Sequence, residues 1–168
     1  MSRLIRYANL SDSDVLGKIH AESSRVGFKS IIPDYILKDV FSIERRTKRF
    51  VSELLEDSPK TAIAFDENEP AGLISFGKCR YGNNRESWKE IWRVYLIQKF
   101  WGSGISKELI DWGINEILKE NFTNIELWVL EENVRARNFY EKIGFKYDNT
   151  FQIINMGKEL KELRYIKS

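Results

Sequence analysis

Cysteine, histidine and proline are scarce in this sequence of 168 residues, which contains one cysteine, one histidine and three prolines. Cys79 has no second cysteine with which to form an internal disulfide. One cysteine and one histidine also fall short of the ligand set that a protein metal site of these residue types needs. We therefore expect a reducing, cytoplasmic setting and no metal.

Long apolar runs and a strong charge imbalance are also missing. No stretch approaches the roughly 18 apolar residues of a membrane helix, and the first ten residues lack the apolar core of a signal peptide. The 27 basic residues nearly balance the 25 acidic ones, leaving a net charge of +2. These features predict no membrane partner and no nucleic-acid partner. The basic run ERRTKR, residues 44–49, keeps an RNA- or ribosome-associated module as a third possibility, although a solvated helix face is the favoured interpretation.

Apolar residues are plentiful, at 42% of the chain with 13% aromatics, which predicts a single globular domain over residues 1–168. Hydrophobic periodicity predicts a strand, two or three helices, three strands, a helix, a strand, a helix and two final strands. This order is typical of a mixed α/β sheet, with its strand–helix–strand crossover around residues 91–130.

The turn FWGSGIS, residues 100–106, lies between the strand and the helix of that crossover. Gly102 and Gly104 remove side chains where the backbone meets the start of a helix. Unpaired N–H groups and a partial positive charge make such a terminus suitable for a phosphate. Two glycines alone are a weak signal, and a tight turn without a ligand fits this segment equally well.

The crossover, read together with NVRARNFYEKIGF (residues 133–145), resembles the GNAT superfamily of N-acetyltransferases. The pattern N-x-x-A-x-x-F-Y-E-K-x-G-F matches throughout. The superfamily's pyrophosphate loop, [Q/R]-x-x-G-x-[G/A], falls on residues 101–106 with two departures, Trp101 and Ser106. Ser106 is small and keeps its N–H, whereas Trp101 loses a charge that Lys99 or Lys107 would have to supply.

The resemblance implies an α/β (α+β) fold with a mixed, mostly antiparallel sheet of six to seven strands and helices on both faces. It also implies an acetyl-CoA-dependent N-acetyltransferase that moves an acetyl group to a primary amine by direct attack in a ternary complex. Leu96 and Ile97 would contact the cofactor through their backbones, and Asn133 through its amide while it caps a helix. The implied cofactor-binding residues are Leu96, Ile97, Trp101, Gly102, Ser103, Gly104, Ile105, Ser106, Asn133 and Tyr140.

Two catalytic residues follow from the same resemblance. Tyr140 matches the usual general acid, whose phenol can protonate the departing thiolate of CoA. Glu90 begins the strand before the glycine turn, where several members have a glutamate that acts as a base through water. A solvated strand-end carboxylate explains Glu90 equally well. Glu126 is the second choice for the base.

Several alternatives stay open at this point. Trp101 allows a non-catalytic acyl-CoA-binding sensor whose phosphate loop has drifted. The acceptor is a small-molecule or peptide amine, and residues 24–41 are predicted to form the wall of its pocket. Exposed strand edges near the C-terminus make a homodimer plausible.

Overall fold

The protein is described by a computed structural model that covers residues 2–168, in which seven strands and five α-helices form a single sheet with packed helices. The strands are β1 (Arg3–Tyr7), β2 (Lys60–Asp66), β3 (Glu69–Lys78), β4 (Trp88–Leu96), β5 (Asn124–Leu130), β6 (Lys146–Asn155) and β7 (Glu159–Lys167). The helices are α1 (Ser13–Gly27), α2 (Asp34–Asp39), α3 (Ile43–Glu56), α4 (Ile105–Lys119) and α5 (Val134–Lys142).

The strands are arranged in the order β1-β2-β3-β4-β5-β7-β6. Every neighbouring pair is antiparallel except β4 and β5, which are parallel and joined by α4. The predicted mixed, mostly antiparallel sheet with a strand–helix–strand crossover is therefore confirmed. Strand β6, near the C-terminus, lies at one edge of the sheet. The homodimer expected from such an edge and the single domain over residues 1–168 both stay predictions.

Local sequence explains how the central strands are connected. The hairpin between β2 and β3 turns at Glu67 and Asn68, which both have positive φ values, 49° and 67°. Two consecutive residues of this kind form the turn whose twist matches antiparallel strands. The hairpin places β3 beside β4, and β4 in turn carries much of the cleft described below.

Helices cover both faces of the sheet. On one face α4 packs through Leu109, Ile110 and Ile117 onto the central strands, and α5 adds Phe139 and Tyr140 at the margin of this core. On the other face α1 contributes Leu16 and Ile19, and α3 contributes Phe50, to a second core with residues of β2 and β3. The apolar stripes of these amphipathic helices thus determine which face each one covers.

Strands β4 and β5 separate along their length. They pair only from Trp88 to Ile91 on β4, although β4 continues to Leu96 and β5 to Leu130. Strand β4 has an extra residue, Trp92, between the positions that pair with Ser75 and Phe76 of β3. Such a bulge bends a strand, and here it accompanies a gap between the two parallel strands.

No helix within residues 2–168 combines the length and the apolar character needed to cross a membrane.

Candidate active site

A cleft of about 1340 Å³ runs through the gap between β4 and β5. One end reaches the start of α4 and the first turns of α5, and the other end lies under α1 and α3 on the opposite face of the sheet. Backbone and side chains of both strands, including Val94, Leu96, Leu127 and Val129, line the middle. One continuous space therefore joins the glycine turn to the segment predicted as the acceptor wall, from which Val26, Gly27, Phe28, Ile32 and Phe41 line the cleft.

The glycine turn at the start of α4 has the backbone expected of a phosphate loop. Gly102 and Gly104 have φ values of 79° and 90°, which residues with a β-carbon rarely adopt. A β-carbon on Gly102 would meet no atom within 4 Å, so the loop surface is open there. In the described chain, the N–H groups of Ser106 and Lys107 have no protein acceptor, because the first turn of α4 begins with the bond from Glu108 N–H to the Gly104 carbonyl. These free amides point to an anion site.

Trp101 and Arg135 form a unit beside this turn. The Trp101 indole N–H donates to the Leu96 carbonyl at 3.0 Å, which ties the loop back to β4. The Arg135 guanidinium lies over the indole ring, 3.4 Å from its centre, and Arg135 lines the cleft. Of the two lysines considered above, Lys107 lines the cleft, whereas Lys99 lies in an exposed ion pair with Glu69. Arg135 brings a cation to the loop from α5; it occupies a variable position of its motif, so the sequence pattern did not single it out.

The other predicted cofactor-binding residues divide into two groups. Ile97 does not line the cleft, and its N–H points away from the gap because it donates to the Ala71 carbonyl on β3. Backbone groups alternate between the two edges of a strand, so Leu96 is the residue whose N–H and carbonyl point toward the gap. Ser103 and Ile105 also stay outside the cleft lining: the Ser103 carbonyl accepts from Arg3, and Ile105 is buried in the core. The predicted residues that do line the cleft are Leu96, Trp101, Gly102, Gly104, Ser106, Asn133 and Tyr140.

Asn133 and Tyr140 reach the cleft from α5. The Asn133 side chain caps that helix by accepting from the Ala136 N–H at 3.2 Å, which leaves its amide NH₂ available. The Tyr140 ring packs against Phe139 and Phe145, and its hydroxyl has no hydrogen-bond partner in the described part of the chain. Burial raises the pKa of Tyr140 well above its ordinary value, so the phenol stays protonated at neutral pH.

Glu90 and Glu126, the two predicted bases, are fully buried and lie outside the cleft lining. Arg80 donates its backbone N–H to Glu90 at 2.9 Å and two guanidinium bonds at 2.6 and 3.1 Å. Burial raises the pKa of Glu90, and the Arg80 bonds oppose that rise. Glu126 accepts from the Arg85 guanidinium and from the Trp128 indole N–H. Both carboxylates are therefore held by an arginine, and neither lines the cleft.

Glu162 on β7 is the acidic residue that lines the cleft within the described chain. Its carboxylate accepts from the Gln152 side chain at 2.9 Å. Burial raises the pKa of Glu162, while the bond from Gln152 and the charge of Arg80 lower it less strongly. The sequence did not indicate this residue, because Glu162 reaches the cleft only through the insertion of β7 between β5 and β6.

A basic cluster lines the acceptor end of the cleft. It comprises Arg46 and Arg49 of α3 and Arg93 of β4. Arg49 and Arg93 share one buried carboxylate, Glu53, which accepts from Arg49 at 2.9 Å and from Arg93 at 2.7 and 2.9 Å. The interpretation of residues 44–49 as a solvated face is therefore wrong for Arg46, because one face of α3 turns it into the cleft beside Phe50.

His20 of α1 is adjacent to this cluster. The centre of its ring lies 4.3 Å from the centre of the Tyr95 ring, and the ring stacks on Phe41. Its Nδ1 is 3.2 Å from the Ser24 hydroxyl oxygen. Burial lowers the pKa of His20 well below its ordinary value, and the nearby charges of Arg46 and Arg93 lower it further. The imidazole is therefore neutral at physiological pH.

The model of the acetyltransferase (GNAT) family matches residues 28–145, a range that includes the glycine turn, the gap and α5. The chain belongs to this family. It is accordingly an N-acetyltransferase, and neither this match nor the relatives below support a non-catalytic sensor.

Two relatives and one solved structure show how far the similarity extends. The chain is 28% identical to YuaI, an uncharacterized N-acetyltransferase of Bacillus subtilis, over 77% of this chain and 72% of the relative. It is also 28% identical to an uncharacterized N-acetyltransferase of Archaeoglobus fulgidus, over 81% of this chain and 88% of the relative. The crystal structure of the PaiA N-acetyltransferase from Thermoplasma acidophilum, in complex with coenzyme A, superimposes with a TM-score of 0.76 at 20% identity. That comparison covers 100% of this chain and 99% of the other, and it shows the shared fold.

Among residues 2–168 of this acetyltransferase, no group of three or more His, Cys, Asp or Glu side chains is placed to hold a metal ion.

Proposed function

We propose that this GNAT protein transfers the acetyl group of acetyl-CoA to a primary amine by direct attack in a ternary complex. The observation that carries the proposal is the continuity of the cleft. It extends from the free amides at the start of α4, past Tyr140, to the cavity under α1 and α3. Donor and acceptor can occupy it together, one from each face of the sheet.

Acetyl-CoA would enter from the α4 side. Its pyrophosphate would accept from the amides of Ser106 and Lys107, with the cation of Arg135 beside it and the Asn133 amide toward the pantetheine. The thioester would lie in the gap between β4 and β5. There the Leu96 N–H points toward the carbonyl oxygen that becomes negatively charged during the reaction.

In the reaction the amine nitrogen attacks the thioester carbonyl carbon, forming a C–N bond and a tetrahedral intermediate. Collapse of this intermediate breaks the C–S bond and releases CoA as a thiolate. The nitrogen loses a proton, and the thiolate gains one. Tyr140 would donate this proton to the sulfur; its protonated hydroxyl, which has no acceptor within the described chain, and its position in the cleft lining support this role.

Glu162 is the carboxylate that we assign to accept the proton of the amine. It lines the cleft, and burial raises its pKa toward the working pH of a general base. In this proposal Glu90 has a positioning role: its three bonds hold Arg80, whose guanidinium lines the same part of the cleft. This proposal gives the role of base to Glu162 rather than to Glu90, because Glu162 lines the cleft and Glu90 does not; the base role predicted for Glu90 stays a prediction.

The test is a panel of primary amines incubated with acetyl-CoA, with release of free CoA thiol as the readout. We expect thiol release that depends on the amine. Y140F should lower kcat about 100-fold while CoA affinity changes less than about threefold, since general acids contribute about 10²–10⁴ in rate. Y147F is the matched control, because the Tyr147 ring stacks on Tyr165 outside the cleft. Full turnover in Y140F, or thiol release independent of every amine, would refute the proposal.

A further inference from the structure

Three buried polar groups at the acceptor end of the cleft have no partner. They are the hydroxyl of Ser23, Nε of Arg46 and Nη1 of Arg93, all shielded from solvent and all on residues that line the cleft. A buried donor without an acceptor destabilises the folded protein, and a charged donor does so more strongly. The three residues line one cavity, and the Arg46 side chain makes no hydrogen bond or ion pair within the described chain, so the cavity wall carries a cation that the protein itself does not pair.

The charge balance shows the sign of that ligand. Arg46, Arg49 and Arg93 bring three positive charges, and the Glu53 carboxylate pairs with Arg49 and Arg93. Arg46 has no ion-pair partner in the described chain. The neighbouring His20 adds no charge of either sign, and Tyr95 is kept protonated because burial raises its pKa. Arg49 is 59% exposed to solvent, so Arg46 and Arg93 set against Glu53 leave one excess positive charge at this end of the cleft, which favours an anion.

Packing holds the guanidinium groups of Arg46 and Arg93 in place. The centre of the Arg93 guanidinium lies 4.9 Å from the centre of the Phe50 ring, and that of Arg46 lies 5.8 Å from the same ring. Glu53 fixes Arg93 further by accepting two bonds from its Nη2. Planar guanidinium groups held on a rigid surface match a planar carboxylate, and the Ser23 hydroxyl can add a third bond.

The position of the cluster links it to the acceptor. Arg93 lies three residues before Leu96 on β4, a separation of roughly 10 Å along a strand. The Arg93 side chain therefore starts within reach of the gap where the thioester is expected. The distance suits a small molecule that presents its amine to the gap and its acid group to the cluster.

We propose that the acceptor is an amino carboxylic acid whose carboxylate binds Arg46, Arg93 and Ser23. This inference rests on the proposed function and specifies its substrate class. A cationic amine without an acid group would be repelled by the positive charge of the cluster.

The first experiment compares each of the twenty amino acids with its carboxamide and its decarboxylated amine. We expect at least one amino acid to have a kcat/KM at least tenfold higher than those of its carboxamide and its decarboxylated amine, which both lack the carboxylate. In R46M the ratio of kcat/KM for the acid to kcat/KM for either analogue should fall to about threefold or less. R45M should keep the wild-type ratio, because Arg45 is an exposed residue of the same helix that pairs with Asp39 and does not line the cleft. Equal use of acids and analogues by the wild type, or an unchanged preference in R46M, would overturn the inference.

A second readout separates this inference from the proposed function, because it needs no turnover. His20 is the sole histidine, so its imidazole gives a single set of proton NMR signals. An N-acetylated amino acid in the site would add a negative charge next to Arg46 and Arg93, and the pKa of His20 should rise; the N-acetylated amino amide should leave it unchanged. A rise in the pKa of His20 without thiol release for any amine would refute the proposed acetyl transfer and support the carboxylate site. Thiol release without any change in this pKa would support the acetyl transfer and refute the carboxylate site.

Discussion

The guanidinium of Arg135 lies 3.4 Å from the centre of the Trp101 indole, so a cation from α5 covers the residue that precedes Gly102 in the glycine turn. The position where a glutamine or arginine is usual in the resembling loop holds an aromatic platform in this chain. The platform is fixed in turn by the indole N–H bond to the Leu96 carbonyl. Arg135 of α5 thus brings a positive charge beside the loop, whose own sequence lacks one.

R135Q should weaken CoA binding about 10- to 100-fold, because it would remove one charge-assisted contact to phosphate, worth about 1.5–3 kcal/mol. Calorimetry with CoA at two salt concentrations provides the measurement, and the difference from wild type should shrink as salt screens the charge. K119Q removes the same charge at the opposite end of α4 and should bind CoA as wild type does. Equal affinities of R135Q and wild type would exclude Arg135 from the phosphate site.

The fold was largely predictable from the sequence because its signals are local. The hydrophobic pattern fixed the order of elements, and Gly144, with φ of 101°, ends α5 where the motif predicted. The placement of β7 between β5 and β6 was not predictable in this way, because strand order depends on which edges pair in three dimensions. Glu162 reaches the cleft through that order, so no local pattern could have identified it.

The sequence predicted the parts of the candidate site that depend on backbone conformation. It predicted less well the residues whose roles depend on side-chain partners from distant parts of the chain. Gly102 and Gly104 were identified because their conformation requires glycine. Glu90 resembles a base in sequence, but its role depends on Arg80, whose approach from the β3–β4 connection leaves no sequence signal. The same holds for Arg46: a basic run usually faces solvent, and tertiary packing overrode that prior here.

R46M should raise the melting temperature of the ligand-free protein by about 2–4 °C, the shift that about 1 kcal/mol produces in a chain of this size. Burial lowers the pKa of Arg46 to about 10, which shows that the charged form is disfavoured where it lies. Methionine keeps the apolar stem that packs near Phe50 and removes the unpaired charge. Differential scanning calorimetry of wild type, R46M and R45M tests this expectation. A lower melting temperature for R46M would show that Arg46 stabilises the fold.

R93M should have the opposite effect on stability. It leaves the buried carboxylate of Glu53 with Arg49, whose side chain is 59% exposed, so a loss of about 3–5 kcal/mol in the free energy of unfolding is expected. Adding E53M to R93M should recover most of that loss, since the carboxylate that R93M leaves without its buried partner is then removed as well. The measurement is urea unfolding. K99M, which breaks the exposed pair with Glu69, serves as the reference and should cost less than about 1 kcal/mol.

The pH dependence of turnover should identify Glu162 as the base. Because burial raises its pKa, its carboxylate becomes protonated, and inactive as a base, at a higher pH than an ordinary glutamate. The ratio of kcat/KM for wild type to that for E162Q cancels the ionisation of the free amine. This ratio should be near one at low pH, rise through the pKa of Glu162, and level off at about 100 or more.

E159Q is the matched control for this titration, since Glu159 lies on the same strand, is exposed and is absent from the cleft lining. Its profile should coincide with that of wild type at every pH. A wild-type to E162Q ratio that is large but independent of pH would mean that Glu162 positions the amine without accepting its proton. If E90Q rather than E162Q removed the rising limb, the proton would instead leave through the Arg80 pair, and the assignment of the base would return to β4.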